Sequence, residues 1–196
     1  MEALRRPLEA IFTEPKPHSF LSGSTVFTIV QRVSASAQDS FRVLFVCWGN
    51  ICRSPAGENV FRHLLSESDH ADSIECDSAG TIDAHAGNSP DQRMRQTLEQ
   101  RGIKVEGAAR QIRTSDFDTF DLILTMDDFN RQEVLVLTRS KEDRAKVRPF
   151  TEFCHEHEAT EVPDPYYGGD SGFELVADLI TDGCQGLLEH IESRLG

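Results

Sequence analysis

Residues 43 to 55 read Val-Leu-Phe-Val-Cys-Trp-Gly-Asn-Ile-Cys-Arg-Ser-Pro, and this stretch decides the fold. Val43 to Val46 is a short unbroken apolar run, the pattern of a strand buried on both faces of a parallel sheet. Ser54 suits a helix N-cap and Pro55 the first helical position. Val60, Phe61, Leu64 and Leu65 then recur as a helical stripe. The loop from Cys47 to Arg53 therefore joins a strand end to a helix N-terminus, where backbone N–H groups and the positive end of the helix dipole collect. Gly49 and Asn50 tolerate left-handed backbone, which a loop with inward-pointing amides requires.

That arrangement has a chemical consequence. A thiol with its free pKa of ~8.5 is mostly protonated at neutral pH, and the thiolate is the nucleophile. Helix-end amides favour a thiolate at Cys47 when the site is empty and phosphate oxygens when it is filled. The guanidinium of Arg53 adds a fixed charge whose fork matches two phosphate oxygens. The Gly-Lys-Ser/Thr signature of a nucleotide P-loop is absent. The competing reading is a structural cysteine that ends a core strand. Far downstream, Asp164-Pro165-Tyr166-Tyr167 precedes Gly168-Gly169. Asp164 could supply a proton to a leaving oxygen, although Asp-Pro followed by Gly-Gly is also an ordinary turn. Tyr166 and Tyr167 are the only two tyrosines of the chain and could wall a pocket for an aromatic ring.

The loop motif followed by Asp-Pro-Tyr-Tyr resembles the low-molecular-weight protein tyrosine phosphatases, from about Phe41 to the C-terminus. Asp77-Ser78-Ala79-Gly80-Thr81, Arg110-Gln111 and Met126-Asp127 extend the likeness. The resemblance implies a four-stranded parallel sheet of order 2-1-3-4 with helices on both faces. It also implies hydrolysis of phosphotyrosine and aryl phosphates, with neither metal nor cofactor. Carried over, Cys47 attacks phosphorus to form a phosphocysteine and Arg53 binds the phosphoryl oxygens. Asp164 protonates the leaving phenolate and then activates water. Trp48, Gly49, Asn50, Ile51, Cys52 and Ser54 complete the phosphate loop, with Ser54 bonded to the thiolate. Asn50 holds the loop shape with support from Ser78, Asp127 has a supporting role, and Tyr166 and Tyr167 line the substrate cleft.

Trp48 stands where the family more often has leucine. It either extends the aromatic wall of the cleft or packs on the surface. Relatives often carry histidine where this chain has Gly107-Ala108-Ala109. An arsenate reductase would use a downstream cysteine pair, whereas Cys76, Cys154 and Cys184 are far apart in sequence. Protein-arginine phosphatases carry threonine where Ile51 sits. A catalytically silent phosphate-binding or redox-sensing module on the same fold is the alternative from another class.

Net charge is −13, and residues 1 to 40 hold four basic and four acidic residues, so the whole excess lies on residues 41 to 196. Such a surface disfavours nucleic acid and anionic membranes. No apolar run approaches the ~18 residues of a spanning helix. Five cysteines and a required free thiol point to a reducing compartment, hence the cytoplasm. In the family, Cys47 and Cys52 can form a reversible disulfide, which would make Cys52 a redox partner; otherwise Cys52 packs behind the loop. The expected partner is a phosphotyrosine protein, with a tyrosine kinase among the candidates, and the expected state is a monomer or weak dimer.

Residues 1 to 40 carry Pro7, Pro15, Pro17 and a serine-rich end. They read as a poorly ordered extension, a transit peptide or an upstream start, with a short strand at Thr25 to Val30. From Phe41, strands and helices alternate as in a parallel α/β domain over 41 to 196. Strands are expected at Phe41 to Val46, Ser73 to Asp77, Asp121 to Thr125 and Val147 to Phe150. Helices are expected at Pro55 to Glu67, after a capping box at Ser89, at Asp128 to Leu137, and after a second capping box at Ser171. His155-Glu156-His157 lacks a metal-ligand spacing and reads as solvated surface. His63, His70, His85 and His190 show no partner pattern.

Overall fold

The computed structural model describes residues 40–195. The extension expected over residues 1 to 40, with its strand at Thr25 to Val30, lies outside the described residues apart from Ser40.

The apolar run opens β1 (Phe41–Cys47), the centre of a four-stranded parallel sheet. Its neighbours are β2 (Ile74–Gly80) and β3 (Leu122–Thr125), with β4 (Val147–Pro149) outside β3, giving the order β2-β1-β3-β4. Alternate side chains of a strand leave opposite faces. Val43 and Phe45 accordingly enter one core with Val60 and Phe61 of α1 (Arg53–Ser66) and Val176 and Ile180 of α6 (Gly169–Leu195). Leu44 and Val46 enter the other, with Phe117 of α3 (Asp116–Thr119) and Val134 and Leu135 of α4 (Asp128–Val136). Helices therefore cover both faces, as a buried parallel sheet requires. The set is completed by α2 (Gln92–Gln100) and α5 (Lys141–Lys146).

Register places the site. Cys47 pairs with Gly80 and Val46 with Thr125, so β1, β2 and β3 end together and the chain leaves all three at one edge. Ligands of open α/β sheets bind at such an edge.

Several boundaries differ from the sequence reading. α1 begins at Arg53 rather than Pro55, and its N-cap is Cys52, which makes no side-chain cap bond. Ser54 is already helical because its hydroxyl is used beneath the loop. β2 runs three residues past Asp77, since Ser78 to Gly80 pair with Phe45 to Cys47. The cap of α2 is Asp91, which accepts from the Arg93 amide at 2.8 Å. Ser89 precedes a proline, which biases it towards extended backbone. α6 starts at Gly169, two residues before Ser171, where a φ of +67° turns the chain into the helix. β4 gives way to a 3-10 turn at Phe150. The short helices α3 and α5 have no apolar period to reveal them. Arg139 joins them by bonding Asp118 and Asp143.

The tripeptide at 155 to 157 is not merely solvated. The carboxylate of Asp182, within α6, accepts the backbone N–H groups of His155, Glu156 and His157 and contacts the His157 ring at 2.9 Å. Asp182 is only 6 % exposed.

Candidate active site

The loop from Cys47 to Arg53 curls at the end of β1. Asn50 has a φ of +54°, the left-handed conformation its residue type tolerates. Gly80 on β2 lies against the loop so closely that a Cβ there would sit 2.7 Å from the Trp48 carbonyl. Backbone bonds from Thr81 to the Cys47 carbonyl and from Ile82 to the Trp48 carbonyl continue that contact.

A chain of side-chain bonds runs beneath the loop. Ser54 Oγ lies 3.0 Å from Cys47 Sγ and 3.1 Å from the Ala79 carbonyl. Its single proton can serve one of these at a time, so turning it towards a thiolate takes it from Ala79. Asn50 Nδ2 donates to Ser54 Oγ and to Ser78 Oγ, both at 2.9 Å, and Ser78 donates to Glu58 at 2.5 Å. Asn50 Oδ1 accepts the Arg110 amide at 2.9 Å. Both ends of the Asn50 amide are therefore committed, which fixes its orientation and the loop with it. Glu58 is buried and also pairs with Arg62.

Arg53 is 3 % exposed. Its Nη1 bonds Asp127 at 2.5 Å and the Val162 carbonyl at 3.2 Å, and its Nη2 reaches Asp164 at 3.3 Å. Burial works against the guanidinium charge, but negative charge at Cys47, Asp127 and Asp164 outweighs it and raises the group above its ordinary range. Asp127 divides its carboxylate, with one oxygen on Arg53 and the other capping α4 through the Asn130 amide at 2.6 Å. A rigid helix start thus orients the guanidinium.

The surface above this layer is a cleft of about 210 Å³. It is lined by Cys47, Trp48, Gly49, Ile51, Cys52 and Arg53 from the loop and by His85, Asp164 and Tyr166 from outside it. Trp48 is 42 % exposed at the rim, so it lines the cleft as well as meeting solvent. Of the residues singled out in the sequence, Asn50, Ser54, Ser78 and Asp127 lie behind the cleft wall. The side chain of Tyr167 lies outside the described residues. Burial pushes the Cys52 thiol far up, with negative charge at Asp91, Cys47 and Asp164 adding to the effect.

Sequence reasoning missed four contributors. His85 had no partner pattern, yet its ring lies over the loop, and a Cβ on Gly49 would come 2.9 Å from it. Glu58 is masked by its helical setting, and Arg110 serves through its backbone amide. Arg93, outside the cleft lining, bonds the Tyr166 carbonyl at 3.1 Å. Among the described residues, no group of three or more His, Cys, Asp or Glu is placed to hold a metal ion. No helix among them is long and apolar enough to cross a membrane.

Residues 42–195 match the family model of the low molecular weight phosphotyrosine protein phosphatases. A chain from Synechocystis sp., named as a candidate low molecular weight protein-tyrosine-phosphatase, is 45 % identical over 154 residues, covering 79 % of this chain and 98 % of that one. The rat low molecular weight phosphotyrosine protein phosphatase is 40 % identical over 148 residues, covering 75 % and 93 %. A crystal structure of the protein tyrosine phosphatase of Entamoeba histolytica, with Hepes in its active site, superposes with a TM-score of 0.77 at 40 % identity, covering 80 % of this chain and all of that one. The strand order, the loop geometry and these likenesses agree: the chain belongs to the low molecular weight phosphotyrosine protein phosphatase family.

Proposed function

We propose that this protein hydrolyses phosphotyrosine and other aryl phosphate monoesters through a phosphocysteine intermediate. The observation that carries the reading is the convergence of Cys47, Arg53 and Asp164 on one cleft, with Arg53 Nη2 3.3 Å from Asp164. Cys47 Sγ attacks phosphorus, the bond to the phenolic oxygen breaks, and Asp164 gives that oxygen its proton. Arg53 and the loop amides hold the equatorial oxygens, where charge develops in transfer. A water then attacks phosphorus, Asp164 takes its proton, and the S–P bond breaks to release phosphate. Ser54 stabilises the thiolate as nucleophile and again as leaving group, Asn50 and Ser78 maintain the loop, and Asp127 orients Arg53. Trp48, Tyr166 and Tyr167 contact the aromatic ring of the substrate.

In this reading residues 41–196 form the phosphatase domain and residues 1–40 an extension. The protein acts in the cytoplasm as a monomer or weak dimer on phosphotyrosine proteins, a tyrosine kinase among them. Cys52 closes a reversible disulfide on oxidised Cys47. A catalytically silent binding module has no use for an acid opposite a buried nucleophile, so the enzyme reading is preferred.

The test is turnover of para-nitrophenyl phosphate. Wild type should hydrolyse it and Cys47→Ser should not, because a serine hydroxyl at this site is not ionised at neutral pH. Inactivity of the wild type on every aryl phosphate would transfer the case to the binding module. Retained activity in Cys47→Ser would remove the covalent mechanism.

A further inference from the structure

Arg93 lies on α2, outside both the loop and the lining of the cleft, yet it spans from one wall to the other. Asp91 holds it in a two-point fork, Nε to Oδ1 at 3.0 Å and Nη2 to Oδ2 at 2.9 Å. Asp91 is itself fixed to the phosphate loop, since its backbone N–H donates to the Ile51 carbonyl at 2.7 Å. From this anchor Arg93 Nη1 donates to the Tyr166 carbonyl at 3.1 Å. Its guanidinium also lies over two rings, 5.2 Å from the centroid of Tyr166 and 4.5 Å from that of Phe173, a fully buried residue. Tyr166 in turn donates its backbone N–H to Asp164 Oδ1 at 3.1 Å. A continuous path therefore runs Ile51, Asp91, Arg93, Tyr166, Asp164, from the nucleophile loop to the acid.

Arg53 also links these two segments, through the Val162 carbonyl at 3.2 Å and through Asp164 itself at 3.3 Å. Arg53 is also the group that takes up phosphoryl oxygens when substrate enters, so its direct contact with Asp164 is shared with substrate at the moment the acid must act. The Arg93 path does not pass through Arg53, and neither Asp91 nor Arg93 lines the cleft, so phosphoryl oxygens do not compete for its bonds. A guanidinium suits this task because it offers a fork to Asp91, a further donor to Tyr166 and a flat face to two rings at once.

We infer that Arg93, braced by Asp91, is a positioning residue that sets the distance between Asp164 and Cys47 for proton delivery to the leaving group. This inference rests on the proposed phosphatase reading and deepens it. Small misplacement of a reacting group lowers a rate by up to about 100-fold, and loss of acid assistance is felt most by poor leaving groups.

The experiment compares phenyl phosphate, a poor leaving group, with para-nitrophenyl phosphate, a good one. In Arg93→Ala, kcat/KM, which reports only the steps up to loss of the leaving group, should fall by roughly 10- to 100-fold on phenyl phosphate and by less than about 3-fold on para-nitrophenyl phosphate, as acid assistance to departure matters little there. The inhibition constant of inorganic phosphate should not change, and Arg93→Lys should recover only part of the loss. In an Asp164→Ala background, Arg93→Ala should cause no further fall on phenyl phosphate, because the group it positions is gone. A merely structural role would lower both substrates alike and would persist in the Asp164→Ala background; either result overturns the inference. If wild type turns over neither ester, the phosphatase reading falls and takes the inference with it. If wild type is active and Arg93→Ala keeps the wild-type ratio between the two esters, the Arg93 inference alone falls.

Discussion

Asp182→Ala is the sharpest test of how the molecule holds the segment leading to Asp164. The carboxylate sits inside α6 and receives three backbone N–H groups, from His155, Glu156 and His157, at 2.9 to 3.1 Å, with the His157 ring as a fourth contact. Burial opposes its ionisation, but the His155 amide, the His157 ring and the remaining amides outweigh that and hold the carboxyl below its ordinary range. Removing the acceptor orphans three amides. Each orphaned buried donor costs about 1 to 3 kcal/mol, and the exposure of His155 and Glu156 lets water offset part of this. The low end applies, so the loss is about 3 kcal/mol, less any relief from no longer desolvating a carboxylate. For a domain of this size that is a fall in Tm of roughly 6 to 12 °C.

Urea unfolding of wild type and variant measures the effect as a shift in midpoint at constant slope. Digestion with a glutamate-specific protease provides a second readout, since Glu156, Glu158 and Glu161 are exposed on the freed segment and should be cut faster. The pH dependence has a definite sign. A carboxyl whose folded pKa is depressed contributes stability that is complete above its unfolded value of about 3.9 and is lost as pH falls through the folded value. The gap between wild type and Asp182→Ala should therefore shrink as pH falls below about 3.9. A loss below about 1 kcal/mol, or a gap that widens below about pH 3.9, would refute the reasoning.

Two further outcomes follow from the same geometry. In Gly186→Ala, a Cβ would sit 2.1 Å from the Phe153 carbonyl, which belongs to backbone and cannot swing away; the overpacking cost of about 1 to 3 kcal/mol should exceed the gain of about 1 kcal/mol in helix propensity, and a variant more stable than wild type in urea would contradict this. Because burial and nearby negative charge push the Cys52 thiol far up, closure of a Cys47–Cys52 disulfide after peroxide should accelerate about tenfold per pH unit between pH 6 and 8, as the thiolate fraction grows. Mass spectrometry of quenched samples measures it, and a pH-independent rate would remove Cys52 as the attacking thiol.

The fold was legible where local pattern and burial coincide. Val43 to Val46 lacks any polar residue because both faces of β1 are covered, and the structure leaves all four fully buried. Legibility failed where a residue had two claims on it. Ser54 looks like an N-cap by type, but its hydroxyl lies 3.0 Å from Cys47 Sγ and 3.1 Å from the Ala79 carbonyl, so the helix starts before it. β2 outran its expected end for a related reason. Ser78 to Gly80 are small residues without a strand-like apolar alternation, yet they pair with β1, and the close approach of Gly80 to Trp48 leaves no room for a side chain there. The helices α3 and α5 are held by Arg139 and by Lys146, whose ammonium bonds the Phe117 and Phe120 carbonyls, so no apolar stripe records them.

The site divides along the same line. Cys47 to Ser54 lie within one loop and helix start, so their residue types and spacing already suggest an anion cradle in the sequence. Asp164 is 111 residues from Arg53, and the sequence offers its residue type without its distance. Arg93 marks the limit. Asp91 and Arg93 are two positions apart, a separation at which side chains on a helix do not face one another. They meet because Asp91 is not helical: as N-cap, with φ −52° and ψ 134°, it turns its carboxylate back over the first turn. The fork therefore exists only once the helix boundary is known. Its reach to Tyr166 exists only once α2 and the start of α6 are packed side by side. A positioning residue of this kind is encoded by where elements end, which single-sequence patterns locate least well. It is visible only after the fold has been built.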